Sequence, residues 1–133
     1  LASIIEEETN RHDEKPLIAS VYLNRLRAGM PLGADPTVKF ATGDFGLRRI
    51  LLKHINETAQ SPYNTYRRRG LPPGPICTPG VESIDAVLHA PATNYLYFCA
   101  RPDGSGYHAF AATYNEHLVN ARAYQQWLNS LQQ

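Results

Sequence analysis

At 133 residues, with 43% hydrophobic and 19% charged side chains, the chain reads as one globular domain able to bury a substantial core, not as a disordered segment. A formal net charge of +1 gives no case for nucleic acid as the main partner, and no stretch approaches the ~20 apolar residues of a membrane helix. The first residues already follow a helical pattern with no cap ahead of Leu1 and no signal peptide, as expected of a piece of something longer.

In the opening segment Leu1 to Thr9, Leu1, Ile4 and Ile5 form one apolar stripe at helical spacing. Glu8 falls inside that stripe, one turn beyond the isoleucines, whereas Glu6 and Glu7 point to water. Apolar surroundings disfavour the charged form of a carboxyl, so a Glu8 facing a cleft has its pKa raised from about 4.3 toward neutrality. That is the property of a general acid working near pH 7. Spacing alone leaves a second reading open: Glu8 at the edge of the stripe, or paired with an arginine of the next helix.

After a break at Asn10-Arg11-His12, Asp13 reads as the N-cap of a helix running to about Ala28, with Pro16 in its first turn. That helix is apolar on more than one side, so it packs on more than one side. Asn24 among its apolar positions reads as a hydrogen-bonded core amide. Gly29 to Gly33 ends it. Asp35-Pro36-Thr37 opens a short helix, an N-cap followed by proline, and capping by itself accounts for Asp35. From Gly43 to Ile55, apolar and basic residues mix without deciding between helix and strand. Asn56-Glu57-Thr58 matches a glycosylation sequon by chance.

Prolines and glycines from Ser61 to Gly80 exclude regular helix and predict an ordered loop. Its Tyr63, Asn64, Thr65 and Tyr66 suit the wall of a carbohydrate cleft, because aromatic faces pack on sugar rings while amides and hydroxyls bond sugar substituents. A rigid connector whose tyrosines fill the core fits the same composition. Arg67-Arg68-Arg69 is a solvated run or a contact for an anionic group. A helix from Val81 to His89 follows. Asn94 to Ala100 and Gly106 to Phe110 then alternate as a β-hairpin, with His108 read as a structural histidine. An amphipathic helix with a stripe of Leu118, Ala121, Tyr124, Leu128 and Leu131 closes the chain. Cys77 and Cys99 lack metal-ligand spacing and read as buried free thiols, a disulfide between them being the alternative. The fold class is therefore α+β, with helices around the Glu8 helix and a small antiparallel sheet.

Several ordered motifs together carry a resemblance. They are Leu1 to Thr9, Ala19-Ser20-Val21 through Asn24-Arg25-Leu26, Gly29-Met30, and Asp35-Pro36-Thr37-Val38. Ser61 to Tyr66, Gly70 to Ile76, Pro79-Gly80 and Tyr95 to Phe98 complete the set. In that order the chain resembles the catalytic domain of MltG-like (YceG-like) endolytic murein transglycosylases over nearly its whole length. Glu8 stands directly before Thr9, where the family has its catalytic glutamate. Glu7 replaces a residue commonly lysine, and Cys77 and Cys99 stand at positions usually small or aliphatic.

The resemblance implies an enzyme of bacterial cell-wall assembly that cleaves the β-1,4 bond between N-acetylmuramic acid and N-acetylglucosamine within peptidoglycan strands, leaving 1,6-anhydro ends. It implies a lysozyme-like architecture by analogy, no cofactor and no metal. A single transmembrane anchor and a LysM-like region would precede residues 1–133, placing the catalytic domain on the extracytoplasmic side of the inner membrane. Cell-wall synthesis proteins are the expected partners. Glu8 is expected to act as acid and base, Asn64 and Tyr66 to stabilise substrate or intermediate, and Tyr63, Thr65, Arg25 and Asp35 to support them. Two rivals remain: a non-catalytic peptidoglycan-binding module, and a hydrolase of the same bond that enlists Asp35, Glu57 or Asp85 as a second carboxylate. A Schiff-base lyase fits poorly, since Lys15, Lys39 and Lys53 have no glycine-rich phosphate loop beside them.

Overall fold

The computed structural model describes residues 1–132. It contains the helices α1 (Ala2–Glu8), α2 (Lys15–Ala28), α3 (Asp35–Thr42), α4 (Leu52–Glu57), α5 (Val81–Leu88) and α6 (Tyr114–Leu131). Between α5 and α6 lie strands β1 (Tyr97–Ala100) and β2 (His108–Ala111), and a 3-10 turn (His12–Glu14) leads into α2. The fold is α+β, as the sequence pattern predicts. Among the described residues no helix is long and apolar enough to cross a membrane.

A seven-residue helix such as α1 is too short to persist alone, so its stability comes from the face it buries. Ile4 and Ile5 are 1% and 0% exposed, each burial contributing about 1.5–3 kcal/mol. They meet Ile18, Ala19 and Tyr22 of α2 and Leu32 and Ala34 ahead of α3 in one continuous core. The helix ends at Thr9, whose backbone turns extended (φ −151°) and whose Oγ1 accepts from the Arg11 amide at 3.0 Å. α2 packs against α1, α5 and β1, which accounts for its apolar positions on more than one side. It ends at Gly29, where φ of +70° lets the amide reach back to the carbonyls of the last turn.

Two caps differ from expectation. Asp13 lies inside the 3-10 turn and accepts from the Tyr107 hydroxyl at 3.1 Å instead of capping α2, whose N-cap is Glu14. Asp35 is the first residue of α3 with no capping bond; the N-cap is Ala34. Its carboxylate is drawn elsewhere, by the Tyr66 hydroxyl. Glu6 also departs from the water-facing position that spacing gives it. It accepts from the Gly80 amide at 2.7 Å and Ser83 Oγ at 3.1 Å, while Lys15 Nζ, buried at 3% exposure, donates to Ser83 Oγ at 2.9 Å. The Gly80 amide and the Ser83 hydroxyl at the start of α5 attract the carboxylate, and those bonds hold its pKa below the usual range.

The ambiguous stretch 43–55 is irregular up to Leu51 and helical from Leu52. Residues 61–80 form the expected loop without helix or strand. Its arginines are exposed, Arg67 bonding Asn56 and Arg68 bonding the carbonyls of Gln60 and Ser61.

In the hairpin, Phe98 pairs with Phe110 and Ala100 with His108. The first strand starts later than predicted because the Tyr95 and Leu96 carbonyls accept from Asn24 Nδ2 (2.8 Å) and Arg25 Nε (2.6 Å) of α2. Asn24 is thus the satisfied core amide that its position implies. Phe98 meets the edge of Tyr22, and on the opposite face Tyr97 stacks on His117 of α6. The α6 stripe is half-buried at Leu118, Ala121, Tyr124 and Leu128, whereas Leu131 stays 63% exposed. Cys77 and Cys99 are free and half-buried, not bridged.

Candidate active site

Glu8 closes α1 at the junction of two clefts. One, of about 520 Å³, runs past Asp35, Lys39 and Phe40 of α3 and Phe45, Leu47 and Arg48 of the next loop. The other, of about 440 Å³, runs past Thr9 to Arg11 and the hairpin turn at Gly104 to Gly106, with His108 behind it. Glu7 and Glu8 line both. Each volume is in the range of a ligand site, and the pair makes a groove that passes the carboxyl on both sides.

Glu8 keeps part of its surface on this groove, but its carboxyl is closely enclosed by protein. Burial raises its pKa to about 7; the Tyr22 hydroxyl, donating to Oε1 at 2.5 Å, opposes the rise, and the charge of nearby Asp35 adds to it. A carboxyl near pH 7 is half protonated at neutrality, so it can give a proton and take one back. Tyr22 is only 2% exposed, and burial together with the Glu8 carboxylate pushes its own pKa up. It stays a neutral donor that occupies one carboxyl oxygen and leaves Oε2 for the groove. Helical periodicity by itself gives Tyr22 no role. The signal was available: Tyr22 is the one titratable hydroxyl on the α2 face that meets the α1 stripe.

Asp35 lies at the solvent edge of the wall. Desolvation raises its pKa and the Tyr66 hydrogen bond opposes that rise. The Tyr66 hydroxyl, raised in turn by burial and by Asp35, remains a donor. Tyr66 is 38% exposed and packs its ring against Gly33, where a Cβ would sit 3.5 Å from it.

The other proposed supporters are spent on structure. Asn64 is 0% exposed; its amide donates to the Ile55 carbonyl and Thr58 Oγ1, and its Oδ1 accepts from the Tyr66 and Arg67 amides. Thr65, 2% exposed, bonds Thr37 Oγ1 and the Ala34 amide. Both hold the loop that presents Tyr66 without lining either cleft. Arg25 clamps the Pro31, Leu32 and Leu96 carbonyls and lies over the Tyr97 ring. Tyr63 packs on Phe40, behind the first cleft. Glu57 and Asp85 lie on exposed helix faces away from Glu8 and line neither cleft. His108 is structural: its Nδ1 and backbone amide both bond Glu14, itself 4% exposed, at 2.8 Å. Among the described residues no group of three or more His, Cys, Asp or Glu is placed to hold a metal ion.

Comparison with known proteins bears on the family and the fold. The family model described as the YceG-like family matches residues 1–123. The protein named endolytic murein transglycosylase of Bacillus subtilis (strain 168) is 45% identical over 117 residues, covering 88% of this chain and 31% of its own length. The protein of the same name from Streptococcus pneumoniae serotype 2 is 34% identical over 112 residues, covering 82% of this chain and 20% of its own length. The 2.6 Å crystal structure of a YceG-like protein from Listeria monocytogenes aligns with a TM-score of 0.83 at 40% identity, over 90% of this chain and 38% of that one. The chain thus spans a third or less of these two named relatives. Sharing a family pattern across residues 1–123 and the fold of a solved member, the chain belongs to the YceG-like family.

Proposed function

We propose that this domain is an endolytic lytic transglycosylase of peptidoglycan, cutting the β-1,4 bond between N-acetylmuramic acid and N-acetylglucosamine inside a strand. The observation that carries the reading is the Glu8 carboxyl, titrating at about 7 where two clefts meet. A groove open on both sides of the acid suits a strand that continues past the cut in both directions.

Protonated Glu8 gives its proton to the glycosidic oxygen, and the bond from that oxygen to the muramyl C1 breaks as positive charge develops at C1. The carboxylate left behind takes the proton of the muramyl C6 hydroxyl, whose oxygen closes on C1 as a 1,6-anhydro ring. One carboxyl serves both steps and no water is consumed. Tyr22 holds Oε1 throughout, and the Asp35 charge favours the cationic state at C1. The two named relatives, called endolytic murein transglycosylases, support this choice of substrate and reaction. In the cell, the domain would belong to a longer protein anchored in the bacterial inner membrane, working beside the cell-wall synthesis machinery.

Hydrolysis of the same bond is the second reading, favoured by Asp35, an acid in the same cleft whose charge reaches Glu8. Mass spectrometry of products from purified glycan strands separates the two. Anhydromuramyl ends are expected; reducing ends would replace the mechanism with hydrolysis, and intact strands would leave a binding module.

Tyr22→Phe tests the acid's environment. Removing a donor that stabilises the carboxylate raises the Glu8 pKa, so the alkaline limb of activity, near pH 7 in the parent, moves up by about half a unit to one unit. An unmoved limb in a pH–rate profile would separate Tyr22 from the acid.

A further inference from the structure

The two arms of the groove differ in charge. In the arm beside α3, Lys39 and Arg48 line the wall together with Phe40 and Phe45. The ion pairs among the described residues involve His12, Lys15 and His108, so neither of these two cations has an acidic partner. Of the acids nearby, Glu8 accepts from Tyr22, and Glu7 stands beside it at that end of the arm. Asp35 is held by Tyr66, and Asp44 Oδ1 accepts from the Gly46 amide at 3.0 Å. Lys39 lies one helical turn beyond Asp35 on α3, and Arg48 lies on the loop that follows α3. The acids therefore gather at the Glu8 end of this arm and the free cations lie further out. The opposite arm has no such pair: its arginine, Arg11, donates through Nε to the Ser105 carbonyl at 2.9 Å and lies over Tyr107.

We propose that Lys39 and Arg48 form an anion subsite that takes a carboxylate substituent carried on a muramyl sugar of the bound strand. This rests on the reading of the groove as a glycan-strand site. Every second sugar of such a strand bears a lactyl group, ending either in its own carboxylate or in a peptide stem with further carboxylates. A neutral N-acetylglucosamine polymer bears neither. Lys39 is half-buried against that wall and Arg48 is exposed at its edge, so an arriving carboxylate meets one partly shielded and one solvated charge, and its gain from the pair depends on salt. The Phe40 and Phe45 rings beside them offer packing for sugar rings and lactyl methyl groups.

The test is equilibrium binding in a Glu8→Gln background, which stops turnover, with three probes of equal length: stem-bearing strands, amidase-stripped strands that keep the lactyl carboxylate, and neutral chito-oligosaccharide. Carboxylated strands are expected to bind about ten-fold tighter than the neutral probe. Lys39→Met with Arg48→Met erases that difference and flattens the salt dependence, while the charge-keeping pair Lys39→Arg and Arg48→Lys retains it. A gain confined to stem-bearing strands assigns the site to stem carboxylates; an equal gain on stripped strands assigns it to the lactyl group. Undiminished binding of carboxylated strands by the methionine pair overturns the subsite alone. Failure of every strand to bind, with no turnover by the parent chain, overturns the glycan reading and the subsite together.

Discussion

Glu8→Gln is expected to lower turnover of murein strands by about a thousand-fold or more, the scale set by losing a positioned general acid that also serves as base. The amide keeps the shape and still accepts from Tyr22, so binding survives while chemistry stops. Liquid chromatography of released fragments measures it, and retention of a tenth of parental turnover would remove Glu8 from the mechanism. The same variant carries a second signature, in stability. Glu8 binds its proton more tightly in the fold, at about 7, than in the unfolded chain, at 4.5. Between those values the native state holds more protons than the unfolded one, so native stability falls as pH rises from about 4.5 through 7. By the linkage relation the full loss approaches about 3 kcal/mol above pH 7, less whatever solvent in the groove screens. Glu8→Gln abolishes that penalty. Thermal melts at pH 5 and pH 8 should therefore bring the variant's stability relative to the parent up by the difference. A constant offset at both values would mean that the carboxyl is well solvated.

Asn64→Ala carries the largest expected stability loss outside the apolar core, about 2–4 kcal/mol, because a fully buried amide is removed from four partners. The Tyr66 and Arg67 amides lose their shared acceptor, and the Ile55 carbonyl loses its donor. For a domain of this size the melting temperature should fall by roughly 10 °C. Since Tyr66 hangs from this loop and holds Asp35, turnover should fall in step. Unchanged melting would mean that water replaces the amide without cost; unchanged turnover with lowered melting would detach the loop from catalysis.

Most element types, and the enclosed position of the Glu8 carboxyl, were legible because each rests on local periodicity; the mixed stretch from 43 to 55 has none and was not. The stripe of Leu1, Ile4 and Ile5 marked Glu8, prolines and glycines marked the loop from 61 to 80, and alternation marked the hairpin. The family resemblance then attached chemistry to Glu8. Roles within the site were less legible, because a side chain's partner lies far along the chain. Asn64 and Thr65 carry suitable groups for sugars, yet the fold gives every one of those groups to neighbours on α3, α4 and the loop itself. Arg25 is similar: three carbonyls reach it before any ligand could.

Spacing alone therefore determined that a carboxyl stands in an apolar stripe, that an α+β chain surrounds it, and that a rigid loop follows. Contacts between residues distant in sequence decided the rest. Tyr22, fourteen positions on, sets which oxygen of Glu8 is free. Tyr66, thirty-one positions from Asp35, turns an apparent helix cap into part of the cleft. The start of α5 draws Glu6 away from water, seventy-four positions from Gly80. Periodicity reports which face of an element is buried. Hydrogen bonds and charges act over a few ångströms between whichever groups the packed core brings together, and only the tertiary structure supplies that list.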